Sequence, residues 1–423
     1  MLDLPARHSP SEGGGLEQAD VAIVGGGAAG IFAAICYAEK QPGRSICVLE
    51  KSSNLLSKVK ISGGGRCNVT HACFDPHELV RSYPRGHKEL LGAFHRFQPE
   101  DTVRWFARRN VKLKTEEDGR MFPVTDRSQT IIDCFETELR NHQVHIRYRA
   151  DVKEVTPTGD GFNLRLADGV HIRCRQLLIA AGGHPTTSSY DYITRLGHSL
   201  HAPVPSLFTF NLPGDPILEL QGVSSMVHIE LMDAPFTSSG PLLITHWGMS
   251  GPAVLKLSAW AARYLHEKNY TFSFRIDWLP GTDAKELEAY VQTLFQHAGG
   301  RNAGQALELD LPKKLKHHLL LKAGIDPERR WAEIGKKQKL SLLHLLKSDT
   351  YTSKGKTTFK QEFVQCGGVA LNEIDMTRME SKVVPGLYFA GEVLDIDAVT
   401  GGFNFQAAWT TAWIAAESMA SDA

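Results

Sequence analysis

The chain has 423 residues, roughly three domains' worth. Its 47 lysines and arginines balance 47 aspartates and glutamates, so no whole-chain charge points to a nucleic-acid or anionic-membrane partner. Hydrophobic residues at 42% and charged residues at 22% suit a soluble protein with a sizeable core, and no apolar run approaches the ~20 residues of a membrane span.

Met1 to Pro10 lacks a signal-peptide pattern, so a cytoplasmic location is expected, and residues 1–18, with Gly13-Gly14-Gly15, read as a disordered leader. Val21–Val24 is an apolar strand, followed by glycines and an alanine-rich helix to Lys40. A Pro42-Gly43 turn leads to a second strand at 45–49. This is β-α-β in about 30 residues, the sign of a parallel sheet. Helices are predicted within 89–109 and over 131–140. Alternating segments follow at 144–148, 162–166 and 170–174, the last two joined by an Asp168-Gly169 hairpin turn, and an apolar strand covers 176–180.

After residue 190 short β pieces alternate with Pro/Gly turns up to Leu279, interrupted by a helix over 253–265. Residues 284–346 are helical and charge-rich. The run Lys313–Lys316 reads as a solvated helix face balanced by nearby acids. From Phe363 the apolar strands, paired glycines and a terminal helix return. One domain built from both ends of the chain, with an insertion between them, is the economical reading.

Seven cysteines are scattered without a C-x-x-C pair, which predicts reduced thiols. There is no H-E-x-x-H, and the pairs His142/His145, His198/His201 and His317/His318 lack a third ligand nearby, so no metal site is expected.

The glycines carry the chemistry. Gly25-Gly26-Gly27-Ala28-Ala29-Gly30 fits G-x-G-x-x-G after a strand and at the start of a helix. Gly25 and Gly27 allow a tight turn and close approach of a pyrophosphate, and the helix from Ala28 offers unpaired N–H groups and a positive dipole end. Glu50, at the end of the next strand with Lys51 beside it, is placed to accept hydrogen bonds from an adenosine ribose. An ADP-containing cofactor follows. FAD is too long for one β-α-β unit, and a remote second segment is present. It comprises Gly386–Glu392, with Gly391 and Glu392 at its end, and Gly401-Gly402-Phe403-Asn404 opening a helix. Such a turn aims N–H groups at the flavin pyrimidine, with either Glu392 or Asp395 holding the ribityl chain or a bridging water.

A third glycine-rich element, Ser62–Asn68, includes Gly64, Gly65, Arg66, Cys67 and Asn68. Arg66 and Lys58 can neutralise phosphate or a substrate carboxylate. Cys67 beside an arginine is either a reactive thiol or, as expected, a packing residue. Arg120 lies in Gly119–Pro123. His246, in Thr245–Pro252, is a general acid or base or else a buried structural histidine. Arg66, Arg120 and His246 are the candidates for substrate orientation or proton transfer.

At SGGGRCN (62–68), GRMFP (119–123), THWGMSGPA (245–253), GGVALNEID (367–375) and the block 379–409, the sequence resembles the BaiN-like (aminoacetone-oxidase-like) FAD-binding flavoproteins. The resemblance runs from about residue 20 to the end. It implies an α/β, Rossmann-like FAD/NAD(P)-binding domain like that of fumarate reductase flavoproteins, over 19–190 and 357–423. It also implies an inserted β-barrel-like domain (191–282 and 347–356) and a helical insert (283–346). Carried over by motif, Gly25, Gly27, Ala29, Gly30 and Glu50 bind ADP, while Lys58 and Gly64–Asn68 run under the flavin. Val152 offers a backbone contact to adenine. Ala181, Gly182 and Gly183 lie near the pyrophosphate, and Gly391, Glu392 and Gly402–Asn404 meet the flavin end. The sequence departs from the pattern at the short, glycine-free segment His184–Tyr190, at Lys60, at His71 and at Cys366.

The expected protein is an oxidoreductase with non-covalent FAD that passes a hydride to a small organic substrate, with NAD(P)H as transient donor. The alternatives are an amine or amino-acid oxidase using dioxygen, a flavoprotein acting on tRNA, and a redox-silent FAD binder. The zero net charge weighs against nucleic acid.

Overall fold

The computed structural model describes residues 17–297, 300–357 and 364–423. The leader as far as residue 16 and the expected return of the chain at Phe363 lie outside the described residues. The chain forms two compact units: the chain up to Pro203 together with Val364–Ala423, and Val204–Phe363 between them. Among the described residues no helix is long and apolar enough to cross a membrane.

The first unit is built on a nine-stranded sheet. Strand β1 (Glu17–Val24), which starts two residues before the expected order at Ala19, leads into helix α1 (Ala28–Lys40) and strand β2 (Ile46–Glu50). Helix α2 (Ser57–Gly65) is kinked at Ser62 and passes through left-handed glycines at 63 and 64 (φ 58° and 68°). Then come β3 (His145–Tyr148), β4 (Val152–Thr158), β5 (Gly161–Leu166), β6 (His171–Ile179), β7 (Leu387–Phe389) and α3 (Phe403–Ser421). The central strands are parallel in the order β7-β6-β1-β2-β3. Val21 lies between Ile46 and Gln176, and Val24 between Leu49 and Ile179.

Two expectations need correction. The segments 170–174 and 176–180 are one continuous strand, β6, because β1 pairs parallel with both halves, while on the other side β5 pairs antiparallel with the first half and β7 parallel with the second. Strand β4 was not predicted; it forms because it pairs with β5 through a bulge at Val152/Glu154. The Asp168-Gly169 turn joins β5 to β6 as expected, with Gly169 at φ 84°.

Ala29 through Ala38 of α1 are buried without a break, the mark of a helix enclosed on all sides. It packs on α3, whose Ala407, Ala408, Ala412, Ala415 and Ala416 are also buried. Phe32 meets Trp105 (4.8 Å) and Trp409 (5.3 Å), and Phe135 lies 5.7 Å from Trp409. These tilted ring pairs add to area burial. Inside this core, Gln406 of α3 accepts hydrogen bonds from the Thr70 and Thr102 hydroxyls (2.6 and 2.9 Å) and donates to Thr410 (3.1 Å). A buried amide so fully partnered fixes one register of the helix.

The second unit is a seven-stranded antiparallel sheet whose two edge strands are Asp349–Lys354 and Lys356–Thr357. Those edges are consecutive in the chain and separated only by Gly355. Gly355 N–H donates to the Tyr270 carbonyl, and the Gly355 carbonyl accepts from Asn211 N–H, in the strand next to the Lys356–Thr357 edge. The sheet therefore curls round on itself into a barrel. The helices between residues 284 and 348 bury Leu315, Leu319, Trp331, Leu342 and Leu346 in the same apolar cluster as barrel residues Ile229, Leu242 and Phe274.

Candidate FAD site

At the carboxyl end of β1 the chain must turn sharply into α1. An added Cβ at Gly25 would lie 2.3 Å from the Ala180 carbonyl at the end of β6, so the loop is pressed against the sheet. Glu50 closes it from the other side, accepting from Gly26 N–H (2.8 Å) and Ser52 N–H (2.7 Å). Gly27 faces open space, in front of the unpaired N–H groups of the first turn of α1. Ala28 begins that turn, and Lys51 lies exposed beside Asp151 at 3.8 Å. Val152 is buried at the start of β4.

The distant segments meet this loop. Gly391 comes so near α1 that an added Cβ would lie 2.8 Å from the Ala29 methyl. Glu392 follows, paired with Lys58 of α2 (2.5 Å) and accepting from Gly183 N–H at 3.4 Å. Behind it the Tyr190 hydroxyl is a hub. It donates to the Gly182 carbonyl (3.2 Å) and accepts from His184 N–H (2.8 Å) and Gln365 Nε2 (3.1 Å). Burial pushes the Tyr190 phenol up to about 12, so it stays protonated and able to donate. Burial first, and then the ammoniums of Lys51 and Lys58, push the His184 imidazole below its ordinary value and keep it neutral. Sequence reasoning missed Tyr190 and Gln365; the only signal was that the segment 184–190 departs from the family pattern. Tyr190→Phe leaves the three groups it serves without a partner. It is expected to cost about 1–3 kcal/mol of stability and to weaken FAD retention, as read by urea unfolding and flavin titration.

Six buried side-chain oxygens among the described residues of this unit have no hydrogen-bond partner, and three of them, Asn68 Oδ1, Gln365 Oε1 and Glu392 Oε1, belong to the segments gathered here. Buried acceptors are seldom left orphaned. Asn68 Oδ1 lies where a Cβ on Gly402 would come within 2.8 Å, at the N-terminus of α3. Glu392 and Gln365 both crowd Gly183. The chemistry therefore fits a ligand rich in N–H and O–H donors with a pyrophosphate at Gly27, as FAD is. Phe403 stacks on His71 (4.4 Å), and Asn404 clamps Ala398 through its N–H and carbonyl (2.9 and 3.1 Å). Asp395 is occupied otherwise, accepting from Gly367 N–H (3.0 Å) and the His201 ring (2.5 Å). The loop between them is anchored by Arg85, whose guanidinium grips the fully buried Asp397 carboxylate with both arms.

Arg66 and Arg120 are brought together at Glu116. Arg66 pairs with it at 2.5 Å and Arg120 at 3.1 Å, and both guanidiniums flank the Phe122 ring (4.0 and 5.5 Å). His246 belongs to the second unit, where it is exposed with its ring 3.9 Å from that of Trp247, which removes the buried structural alternative. Cys67 is fully buried, and that burial pushes its thiol up to about 12, which removes the reactive-thiol alternative. Elsewhere in the first unit, Glu39, Glu138 and His142 bring ligand atoms within 4.8 Å of one another. Arg109 bridges both carboxylates and so compensates their charge.

A parallel sheet with a glycine turn at its carboxyl edge, completed by a glycine-rich segment from the far end of the chain, defines an FAD-dependent oxidoreductase. Over residues 19–418 the chain matches the HI0933-like protein Rossmann domain family, and it belongs to that family. It is 28% identical to the 3-dehydro-bile acid delta(4,6)-reductase of Clostridium scindens over 409 residues, covering 95% of this chain and 98% of that protein. It is 29% identical to the ribosomal RNA dihydrouridine synthase of Escherichia coli K12 over 414 residues, covering 96% and 98%. The fold is similar to the crystal structure of 3-ketosteroid-delta4-(5alpha)-dehydrogenase from Rhodococcus jostii RHA1 in complex with 4-androstene-3,17-dione. That likeness has a TM-score of 0.51 and 15% identity, and covers 96% of this chain and 97% of that one.

Proposed function

We propose that this protein reduces a carbon–carbon double bond conjugated to a carbonyl group, with FAD held non-covalently and NAD(P)H as electron donor. The observation that carries the reading is chemical: a 3-oxo-4,6-diene and a uracil ring, the groups named in the relatives' activities, share that one functional unit. When bound, FAD would take a hydride from the nicotinamide and deliver it to the β-carbon while the α-carbon gains a proton, so that one double bond is saturated per NAD(P)H oxidised. Asn68, Gln365 and Glu392 would accept the cofactor's polar hydrogens, and Gly27 would admit its pyrophosphate. Gly64, Gly65 and Lys58 would line its path, and the first turn of α3 at Phe403 and Asn404 would present N–H groups to the ring that gains negative charge on reduction. Arg66 and Arg120, held in place by Glu116, would orient the substrate carbonyl oxygen.

Anaerobic stopped-flow mixing with NADH and NADPH tests this. The flavin should bleach with at least one nucleotide and recover when a conjugated dienone is added. A flavin indifferent to both nucleotides, coupled to oxygen uptake with amines or amino acids, would mean an oxidase instead.

A further inference from the structure

The zero net charge conceals a strong segregation. Residues 311–347 hold ten lysines and arginines against three acids, a net +7, so the remainder of the chain carries −7. This block lies wholly in the second unit. Two of its helices, Lys313–Lys322 and Lys336–Ser348, open on the same Lys-Lys-x-Lys pattern, and neither has an acid in its first turn. Folding gives no reason for that choice, because cations are disfavoured at the positive end of a helix.

Eight of the ten basic residues fall into two groups. Several serve the fold: Lys322 pairs with the buried Asp349 (2.6 Å), Lys347 with Asp277 (2.6 Å) and Arg329 with Glu333 (3.6 Å), while Lys316 donates to the Leu307 carbonyl (2.8 Å). Lys313, Lys314, Lys336 and Lys337 do not. All four are exposed, and none has an ion-pair partner among the described residues. Acids balance part of the block but not these lysines, which corrects the expectation of a neutralised face for the run at 313–316. The start of the second helix lies at the end of the first. The Gln338 side chain donates to the carbonyl of Gly324, two residues past the end of the first helix, so the second lysine pair starts where the first helix finishes. About ten residues of helix, roughly 15 Å of rise, separate the pairs, a span that covers several phosphates of a nucleic-acid backbone.

We propose that this face is an RNA-docking surface, with the four unpaired lysines contacting backbone phosphates. The choice of RNA over other polyanions rests on the proposed reductase reading, since uracil is a nucleobase that presents a carbonyl-conjugated double bond. Phosphate contacts position a substrate without reading its sequence, and they release counterions, so four contacts give a log–log salt slope of about −3 to −4 on a duplex.

The test uses the full-length holoprotein and a variant carrying Lys313→Gln, Lys314→Gln, Lys336→Gln and Lys337→Gln. Both are titrated by anisotropy with a folded, uridine-containing stem–loop transcript and with phosphatidylserine vesicles. The wild type should bind the transcript with that salt slope. The variant should bind it about ten-fold more weakly or worse with a nearly flat slope, at unchanged flavin content and an unchanged rate on a small dienone. A variant that keeps its RNA affinity, or a wild type that binds vesicles as tightly as RNA, overturns the docking surface. RNA binding through these lysines, in a protein that reduces neither the dienone nor the uracil of the transcript, would instead overturn the reductase reading beneath it.

Discussion

Gly30→Ala will strip the protein of its flavin and cost about 3 kcal/mol or more of stability, whereas Gly27→Ala will weaken flavin binding and leave the fold intact. An added methyl at residue 30 would sit 1.9 Å from the Gly25 carbonyl oxygen, backbone against backbone, with no flexible side chain to yield. The turn between β1 and α1 must open, and the sheet edge with it. At residue 27 an added methyl meets no protein atom within 4 Å, and the backbone there (φ −85°, ψ −167°) suits alanine. What it does meet is the approach to the first turn of α1. Flavin-to-protein absorbance ratios report the loss of cofactor, and melting of the FAD-free proteins reports the fold. A Gly27→Ala protein with undiminished FAD affinity would show that the pyrophosphate does not approach there.

Arg85→Met should destabilise the protein by about 3–5 kcal/mol, because it leaves the Asp397 carboxylate, wholly shielded from water, without its cation. The damage should concentrate in the loop that leads to α3. Val399 N–H donates to Ser82 (2.9 Å), and the Tyr83 hydroxyl donates to the Phe403 carbonyl (2.6 Å). Losing the ion pair frees one face of a segment that positions the α3 N-terminus. Urea unfolding measures the total, and hydrogen exchange at residues 394–404 locates it. Adding Asp397→Leu should recover part of the loss, since the burden is the stranded charge rather than the missing contact. If Arg85→Met melts like the wild type, the pair is not a structural anchor.

The parts of the fold that could be read from sequence are those encoded locally. The β1–loop–α1–β2 unit, the Asp168-Gly169 turn and the glycines opening α3 announce themselves within a few residues. Strand β4 did not, because its alternation is broken by Pro157 and its existence depends on pairing with β5. The division of residues 170–180 into two pieces failed for a related reason: a polar first half and an apolar second half differ in their neighbours, not in their backbone. In the site, the glycine motifs were legible, but the groups that hold them were not. Tyr190 acts on Gln365 across 175 residues, and Arg85 on Asp397 across 312. No local pattern encodes either pair. Whole-chain charge misled in the opposite way, since a sum of zero is compatible with a block of +7.

The packing of α3 against α1 also bears on how the protein is made. Helix α1 is synthesised early and is buried on every side, yet its partner lies at residues 403–421. All of Val204–Phe363 is translated between them, which at ~5–20 residues per second takes roughly 10–30 s. During that interval the second unit has its complete sequence and can close its barrel, while the first stands open on the ribosome with its central helix half covered. Flavin loading and the sealing of that core are therefore late, coupled events. Until α3 emerges, the apolar surface left uncovered belongs to α1 rather than to the barrel.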